Sequence, residues 1–483
     1  MKVNIRPVTP TDLVLIDPRG HGNPEPALST LSRRIPVTPT AVMLMISTAV
    51  FFLGAADLYF AFRVHGANIR VANVLLAAAV FLWLWRRARH ARAEVVDLAV
   101  AWLPFLCLYA VAIAMSESPL PGWAKLGWFA VNFFGAYCCC SLLGPVKTAR
   151  GYFVAFLAIA AIIVLDFLIG FTEGPEHMIG YGQRNDMLQG VTLYRPHAFY
   201  YEPSFAATGL GLAWALAMTR MGGVRPWLAT ALVGVGTIAL LLTTSRTGWL
   251  YSVAVLVAMA VLVPHWRAVL VHSARWKGFA ASVMAAVLLS VAVIPPEKRG
   301  LLFGLADQLG SAQTLERICP LLEDRLGLGD LDCLSGEQRA QFLGKSGSLP
   351  PGLTGEGWRV MTKLDALDTI ARHPWTGVGV GAGTDRLIAP PKVANVWLEI
   401  AVEAGVVAAL AFAWGLAFTM YRWKVFERRN RTIAIAVVLL FLVSWQFLQT
   451  FPRLDIWLGF WAAMVFARSE AAGVTGGLDS DAA

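Results

Sequence analysis

Apolar runs long enough to enter a bilayer recur from residue 41 to residue 468, and they leave this chain few folds to choose from. Inside hydrocarbon every backbone N–H and C=O must be satisfied by the protein itself, so a spanning chain is helical or a closed barrel. The alternating ten-residue pattern of a transmembrane barrel is absent. The expected fold is therefore an all-α polytopic membrane protein. Twelve spans are read at 41–62, 71–85, 95–115, 124–143, 152–171, 204–219, 227–244, 247–263, 279–294, 394–420, 433–450 and 455–468. Only 15% of the residues are charged and 57% are hydrophobic, where soluble domains carry about 25% charged residues. The formal charge of +9 does not mark a nucleic-acid binder, because the basic residues lie in short connections between spans. The 18 Trp fit interfacial anchoring.

Lys and Arg set the orientation. The segments on one side carry 22 of them and the short segments on the other side carry 7. The remaining 11 lie in one long connection, which counts little in this rule. Both termini are expected in the cytoplasm. The first apolar run begins only near Ala41, too late for the core of a secretory signal. The expected organisation is a cytoplasmic tail at 1–40, helices at 41–294, a long and partly helical outer loop at 295–393, three more helices at 394–468, and a second tail at 469–483.

The residues that carry chemistry collect on the outer face. The stretch Y-R-P-H-A-F-Y-Y-E-P-S at 194–204 places Tyr194, Arg195, His197, Tyr200, Tyr201 and Glu202 at the mouth of a span. Ionised groups there face an internal cavity or pair with one another. Both readings are open: Arg195 and Glu202 act on a ligand, or they form a structural pair with the tyrosines as an interfacial belt. The turn T-T-S-R-T-G at 243–248 offers Arg246, whose planar fork suits phosphate. The alternative is an arginine that snorkels and anchors a helix end.

Within the long loop, residues 357–373 have a helical period, with Val360, Leu364, Leu367 and Ala371 on one side and Met361 and Ile370 adjoining. This segment predicts an amphipathic helix on the outer surface or over a cavity, ended by Pro374. It also holds Arg359. The following G-V-G-V-G-A-G has neither the Lys-Ser/Thr of a P-loop nor a preceding strand, so its glycines serve close approach to a ligand or a neighbouring helix. Cys319 and Cys333 could be bridged on this oxidising side, while Cys107 and Cys138 to Cys140 read as packing residues. The next span opens A-N-V-W-L-E-I-A-V-E-A-G, with Asn395, Glu399 and Glu403 spaced i, i+4, i+8 on one face. Two carboxylates in a membrane helix need partners, and Arg195, Arg246 and Arg359 are candidates. A packing salt bridge without chemistry is the plainer reading of Glu403.

This order of features resembles the O-antigen polymerase and O-antigen ligase superfamily of bacterial membrane glycosyltransferases. An arginine-bearing outer loop runs into E-P-S and is followed by a T-S-R turn. A long outer loop then ends in P-x-x-G-V-G and leads into N-x-W-L-E-x-x-x-E-x-G. The resemblance covers roughly residues 190–410. It implies a C-type glycosyltransferase fold in the bacterial inner membrane with a periplasmic active site. The implied substrate is an oligosaccharide linked through diphosphate to undecaprenyl lipid. Flippase and chain-length regulator proteins are candidate partners. The resemblance also implies that Arg195 and Arg246 bind the diphosphate. One departure stands out: ligases typically carry a histidine directly before the asparagine, and Ala394 occupies that place here. His373 and His197 are the nearest histidines.

Transfer from a lipid diphosphate needs stabilised negative charge on the leaving group and a base for the acceptor hydroxyl. Arg195 and Arg246, with Arg359 a third, suit the first need without a metal or cofactor. Glu202 and Glu399 suit the second, and displacement at the sugar C1 would invert its configuration. Tyr194, Tyr200 and Tyr201 suit stacking on sugar rings, and Asn395 suits hydrogen bonding to substrate. The E-P-S segment and the absent histidine favour a polymerase of lipid-linked repeat units over a ligase to lipid A-core. A transporter of lipid-linked sugars is the alternative of another class, although no internal repeat is visible. Reporter fusions test the topology: fusions at Ala93 and Asn430 should report cytoplasm and one at Gly347 the outside. A cytoplasmic signal at Gly347 would remove the basis of the orientation.

Overall fold

The computed structural model describes residues 39–56, 61–64, 67–87, 92–117, 119–173, 177–179, 186–188, 191–193, 196, 198–200, 203–219, 224–243, 245–263, 274–293, 363, 366–380, 395–443 and 453–471. Each of the twelve expected spans contains a helix. These are α1 (Pro39–Ala55), α2 (Val71–Arg87), α3 (Arg92–Ala114), α4 (Pro119–Leu143), α5 (Pro145–Thr172), α6 (Pro203–Met218), α7 (Pro226–Leu242), α8 (Arg246–Leu262), α9 (Ala274–Val293), α10 (Val396–Arg422), α11 (Arg431–Val443) and α12 (Leu454–Ala471). Prolines open α4, α5, α6 and α7. A proline at the first helical position loses only an N–H that has no intrahelical partner. In α5 this start draws Lys147 and Arg150 into the helix, ahead of the expected boundary at 152.

Among the described residues, four stretches are long and apolar enough to cross a membrane: Ala93–Ala114, Pro119–Leu143, Pro145–Gly170 and Val396–Arg422. Six further apolar helices are shorter. The all-α expectation holds for the spans, and among the described residues short hairpins accompany the helices. Two antiparallel hairpins are present, β1 (Ala61–Val64) with β2 (Ala67–Arg70), and β3 (Asp186–Leu188) with β4 (Val191–Leu193). The first follows α1, which ends at Ala55, and pairs A-F-R-V with A-N-I-R across a two-residue connection.

The helix at the centre is α12. All residues from Leu454 to Ala467 are buried, and α12 touches α1, α4, α5, α6 and α11. A helix apolar on every side belongs in an interior. Its Trp457 and Trp461 join Trp102, Phe105, Phe129, Phe133 and Phe412 in one aromatic cluster, with the Trp102 and Phe133 rings 4.4 Å apart. Trp102 donates to Thr419 Oγ1 at 3.0 Å, which satisfies its indole N–H inside the core. Trp102, Trp214, Trp457 and Trp461 are fully buried, so these tryptophans are core residues rather than interfacial anchors. The packing reading holds for Cys138 to Cys140, which are buried, whereas Cys107 is exposed. Cys319 and Cys333 lie outside the described residues.

The amphipathic segment is helical over the described residues 366–372. Its buried face differs from the expected one. Ala366 is fully buried and Ile370 packs beside it against Val402 and Leu398, while Leu367 is 51% exposed and Ala371 is exposed. The contact with α10 selects the 366/370 face over the more apolar alternative. After it, residues 373–380 form a strap across a break in α10. At Gly405 the backbone leaves helical geometry (φ 86°, ψ 166°). The strap supplies partners for the interrupted ladder. Val378 N–H donates to Val402 O (2.8 Å), Gly379 N–H to Glu403 O (3.1 Å), and Val406 N–H to Pro374 O (2.8 Å). Glycine is required where the two chains meet: a Cβ on Gly377 would lie 2.5 Å from Glu403 C and from Val402 O, and one on Gly405 would fall on the Trp375 carbonyl. The glycine run therefore approaches a neighbouring helix, one of its two expected uses.

Gly144 has nearly the same backbone conformation as Gly405 (φ 74°, ψ 168°) but open space around its Cβ position. Gly144→Ala is therefore expected to cost only conformational strain, about 1–3 kcal/mol. Gly405→Ala adds a collision with the strap and should cost about 1–3 kcal/mol more. Thermal unfolding of the two purified variants checks this. Equal losses would show that the strap does not hold the break.

Candidate functional site

Buried charge gathers at one end of the bundle, where α3 stops, α4 starts, and α10 and α12 begin. The first cluster is built on α10. Asn395 has extended backbone (φ −165°) and its Oδ1 accepts from Trp397 N–H (2.9 Å) and Leu398 N–H (3.1 Å). It is the N-cap of α10, and Glu399 in the first turn adds a favourable charge near the helix N-terminus. Glu399 and Glu403 stand one turn apart and converge on Lys125 of α4. Lys125 Nζ donates to Glu399 Oε1 at 2.5 Å and to both Glu403 oxygens at 2.8 Å. Tyr109 of α3 donates its hydroxyl to Glu403 Oε2 at 2.5 Å. Among the described residues the cation shared by both carboxylates is thus Lys125; Arg195, Arg359 and the side chain of Arg246 lie outside the described residues. The strap fixes this half of α10 from behind, because Gly379 bonds the backbone oxygen of Glu403 itself.

The second cluster is built on the start of α12. Arg453 is 5% exposed and Asp455 3%. Arg453 Nε donates to Asp455 Oδ1 at 2.9 Å, and its Nη2 donates to Asp455 Oδ2 and to the backbone oxygen of Phe205 at 3.1 Å. The guanidinium carbon also sits 5.3 Å from the Tyr200 ring centre and 4.7 Å from that of Phe205, within cation–π range. Tyr200 is buried against this guanidinium, so its ring is a core group rather than a platform for sugar. Nearby, Ala198 adopts a positive φ of 49°, a conformation a residue with a side chain rarely takes.

Of the expected site residues, Tyr194, Arg195, Tyr201, Glu202 and Arg359 lie outside the described residues, as do His197 and Ala394. Arg246 is the first residue of α8, and only its backbone is described. Its position still carries information. A Cβ on Gly248 would lie 2.6 Å from Ala207 Cβ, so the first turn of α8 abuts α6 just after Glu202 and Pro203. Gly209 of α6 in turn abuts Asp455. The starts of α6, α8 and α12 are therefore neighbours. Trp397 donates to Phe441 O at 3.1 Å and ties the start of α10 to the end of α11. His373 is exposed at the head of the strap. Among the described residues no group of three or more His, Cys, Asp or Glu is placed to hold a metal ion.

Four residues at this end escape sequence reading: Tyr109, Lys125, Arg453 and Asp455. A signal for three of them was present, since each is a charge at the boundary of an apolar run, the criterion that singled out Arg246. Tyr109 gives no such signal, because a tyrosine near a membrane boundary is common. The opposite end differs. Arg468–Glu94, Arg422–Asp97 and Arg429–Glu470 are ion pairs there whose arginines are 46–61% exposed.

Residues 229–413 match the family model described as O-antigen ligase, Wzy_C. The matched stretch runs from α7 through α8, α9, the long loop and the strap into α10. It includes Arg246, Asn395, Glu399 and Glu403, and stops short of Arg453. A comparison with curated proteins finds no match. The family works on lipid-linked sugars in surface-polysaccharide synthesis. Residues 229–413 are thus a domain of the O-antigen ligase type, and with its apolar helices the chain is a multi-pass membrane enzyme.

Proposed function

We propose that this enzyme is a polymerase. In this reading it joins undecaprenyl-diphosphate-linked oligosaccharide repeat units into a surface polysaccharide, an O-antigen or exopolysaccharide, at the periplasmic face of the inner membrane. The observation that carries the reading is the one-sided burial of charge. Lys125, Glu399, Glu403, Arg453 and Asp455 all sit at the end of the bundle where α6 and α8 begin, the helices that in sequence follow Glu202 and open with Arg246. A transferase acting on a lipid-anchored donor needs its groups at one membrane boundary, where the diphosphate lies.

On this reading the twelve helices span the membrane in a C-type glycosyltransferase fold with both termini cytoplasmic. Arg195 and Arg246 bind the diphosphate, with Arg359 a third cation. Guanidinium groups fixed in a low-dielectric site stabilise the charge that grows on the departing diphosphate. Glu202 takes the proton of the acceptor hydroxyl. Glu399 is the second carboxylate. Its Oε1 is already bonded to Lys125, which suits it to orienting acceptor hydroxyls. Tyr194 and Tyr201 line the sugar path. Asn395, whose Oδ1 holds the cap, is a further substrate-binding residue. Attack at C1 with diphosphate leaving inverts the anomeric centre.

A second reading, ligation to lipid A-core, is favoured by the description of the matching family as O-antigen ligase. Ala394 in place of the ligase histidine weighs against it.

The test uses purified protein with lipid-diphosphate-linked repeat units as sole substrate. A ladder of longer lipid-linked chains is expected. Product only after core acceptor is added would establish the ligase, and substrate crossing the membrane unchanged would establish a transporter. In the same assay Arg246→Ala should lose at least about 100-fold in rate, the scale seen when one preorganised donor is removed. Arg246→Lys should not restore it, because lysine keeps charge but not the planar fork. Full activity in Arg246→Lys would reduce Arg246 to a helix anchor.

A further inference from the structure

Arg453 makes contacts on both sides of a four-residue stretch it does not itself belong to. Before that stretch, its guanidinium lies against the ring of Tyr200. After it, the same guanidinium lies against the ring of Phe205 and bonds the Phe205 backbone oxygen at 3.1 Å. Between the two contacts are Tyr201, Glu202, Pro203 and Ser204. Asp455 holds the guanidinium through a two-pronged contact, from Nε at 2.9 Å and from Nη2. That fixes the plane of the fork. Asp455 also lies at a close approach of α6 to α12: a Cβ on Gly209 would stand 2.6 Å from Asp455 Oδ2 and 2.8 Å from the Tyr200 hydroxyl.

The anchoring side is rigid. All residues from Leu454 to Ala467 are buried at the centre of the bundle. The anchored side is different in kind. Residues 198–200 form a turn with a positive φ at Ala198, and α6 begins only at Pro203. Such a turn has no helical ladder to define it, so its position must come from contacts with other elements. Arginine is the side chain suited to this, since one planar group can bond a carboxylate, bond a carbonyl and stack on two rings at once.

We infer that Arg453, oriented by Asp455, is a positioning residue: it clamps the turn at 198–200 and the first turn of α6 to the start of α12. The inference rests on the proposed role of Glu202 for its effect on rate, but the clamp itself is independent of that role.

Replacing Arg453 alone leaves Asp455 as a buried charge without its cation, and such a variant can fail to fold. Two better variants exist. Arg453→Lys keeps the charge and loses the fork. Arg453→Met with Asp455→Leu removes both charges together and leaves no orphan. Full-length protein in lipid nanodiscs is compared by hydrogen–deuterium exchange and by elongation of lipid-diphosphate-linked repeat units. In both variants, peptides covering 196–205 should exchange at least tenfold faster, with peptides from α3 and α10 at wild-type rates. The kcat should fall at least tenfold, with the KM for the lipid-linked donor within twofold. Wild-type exchange across 196–205 in the folded double variant would overturn the clamp. A kcat within twofold of wild type, or recovery of full activity in Arg453→Lys, would overturn the effect on rate and leave the clamp to the exchange result. Failure of the wild-type protein itself to elongate the donor would sink the polymerase reading instead, and the exchange result would still decide the clamp.

Discussion

A peptide group stranded inside an apolar bundle costs several kcal/mol, roughly 2–7 depending on the reference state. α10 breaks at Gly405 and opens that liability two residues beyond Glu403. The strap at 373–380 closes it with three backbone hydrogen bonds. Much else depends on this contact. It docks the end of the long loop onto the membrane helices. It also fixes the direction of the half-helix carrying Asn395, Glu399 and Glu403 separately from the half beyond the break. Ser116, at the end of α3, joins the same seam by donating to Val380 O at 3.1 Å. The turn between α3 and α4, the strap and the first half of α10 therefore form one unit around Lys125.

The two ends of the bundle show what burial does to a charge. Exposed ion pairs such as Arg422–Asp97 contribute about 0–1 kcal/mol and tolerate change. The buried groups at the other end are coupled: removing one partner of such a pair costs about 3–5 kcal/mol, because the other is left uncompensated. Selection for stability alone would favour apolar replacements there. Their presence at one end, beside the segments that enter α6 and α8, fits a site that needs fixed dipoles rather than bulk stability.

The site is also assembled from beyond the matched domain. Glu399 and Glu403 lie within residues 229–413, but their cation comes from α4 and their tyrosine from α3. Arg453 and Asp455 come from the opposite side of the match. The helices outside residues 229–413 are thus part of the polar end, not only its membrane frame.

The sequence by itself determined the twelve helices, because burial of apolar surface and satisfaction of the backbone are local consequences of each run. It also marked Asn395 and the two glutamates as one helix face, and the glycines near 377 as a close approach. Helical spacing and the absence of a Cβ are properties of the chain alone. The sequence did not reveal which charge meets which. Lys125 and Glu399 are far apart along the chain, and several arginines were equally good candidates by charge. Nor did it distinguish tryptophans at a boundary from Trp102 and Trp457 in the core, since both need an apolar body and a hydrogen-bond partner. Choosing the Ala366 face of the amphipathic segment, pairing Lys125 with the two glutamates and placing Arg453 on both flanks of residues 201–204 were decided only by tertiary structure. Each of these depends on which helices become neighbours, and that is a property of the whole bundle's packing rather than of any one stretch.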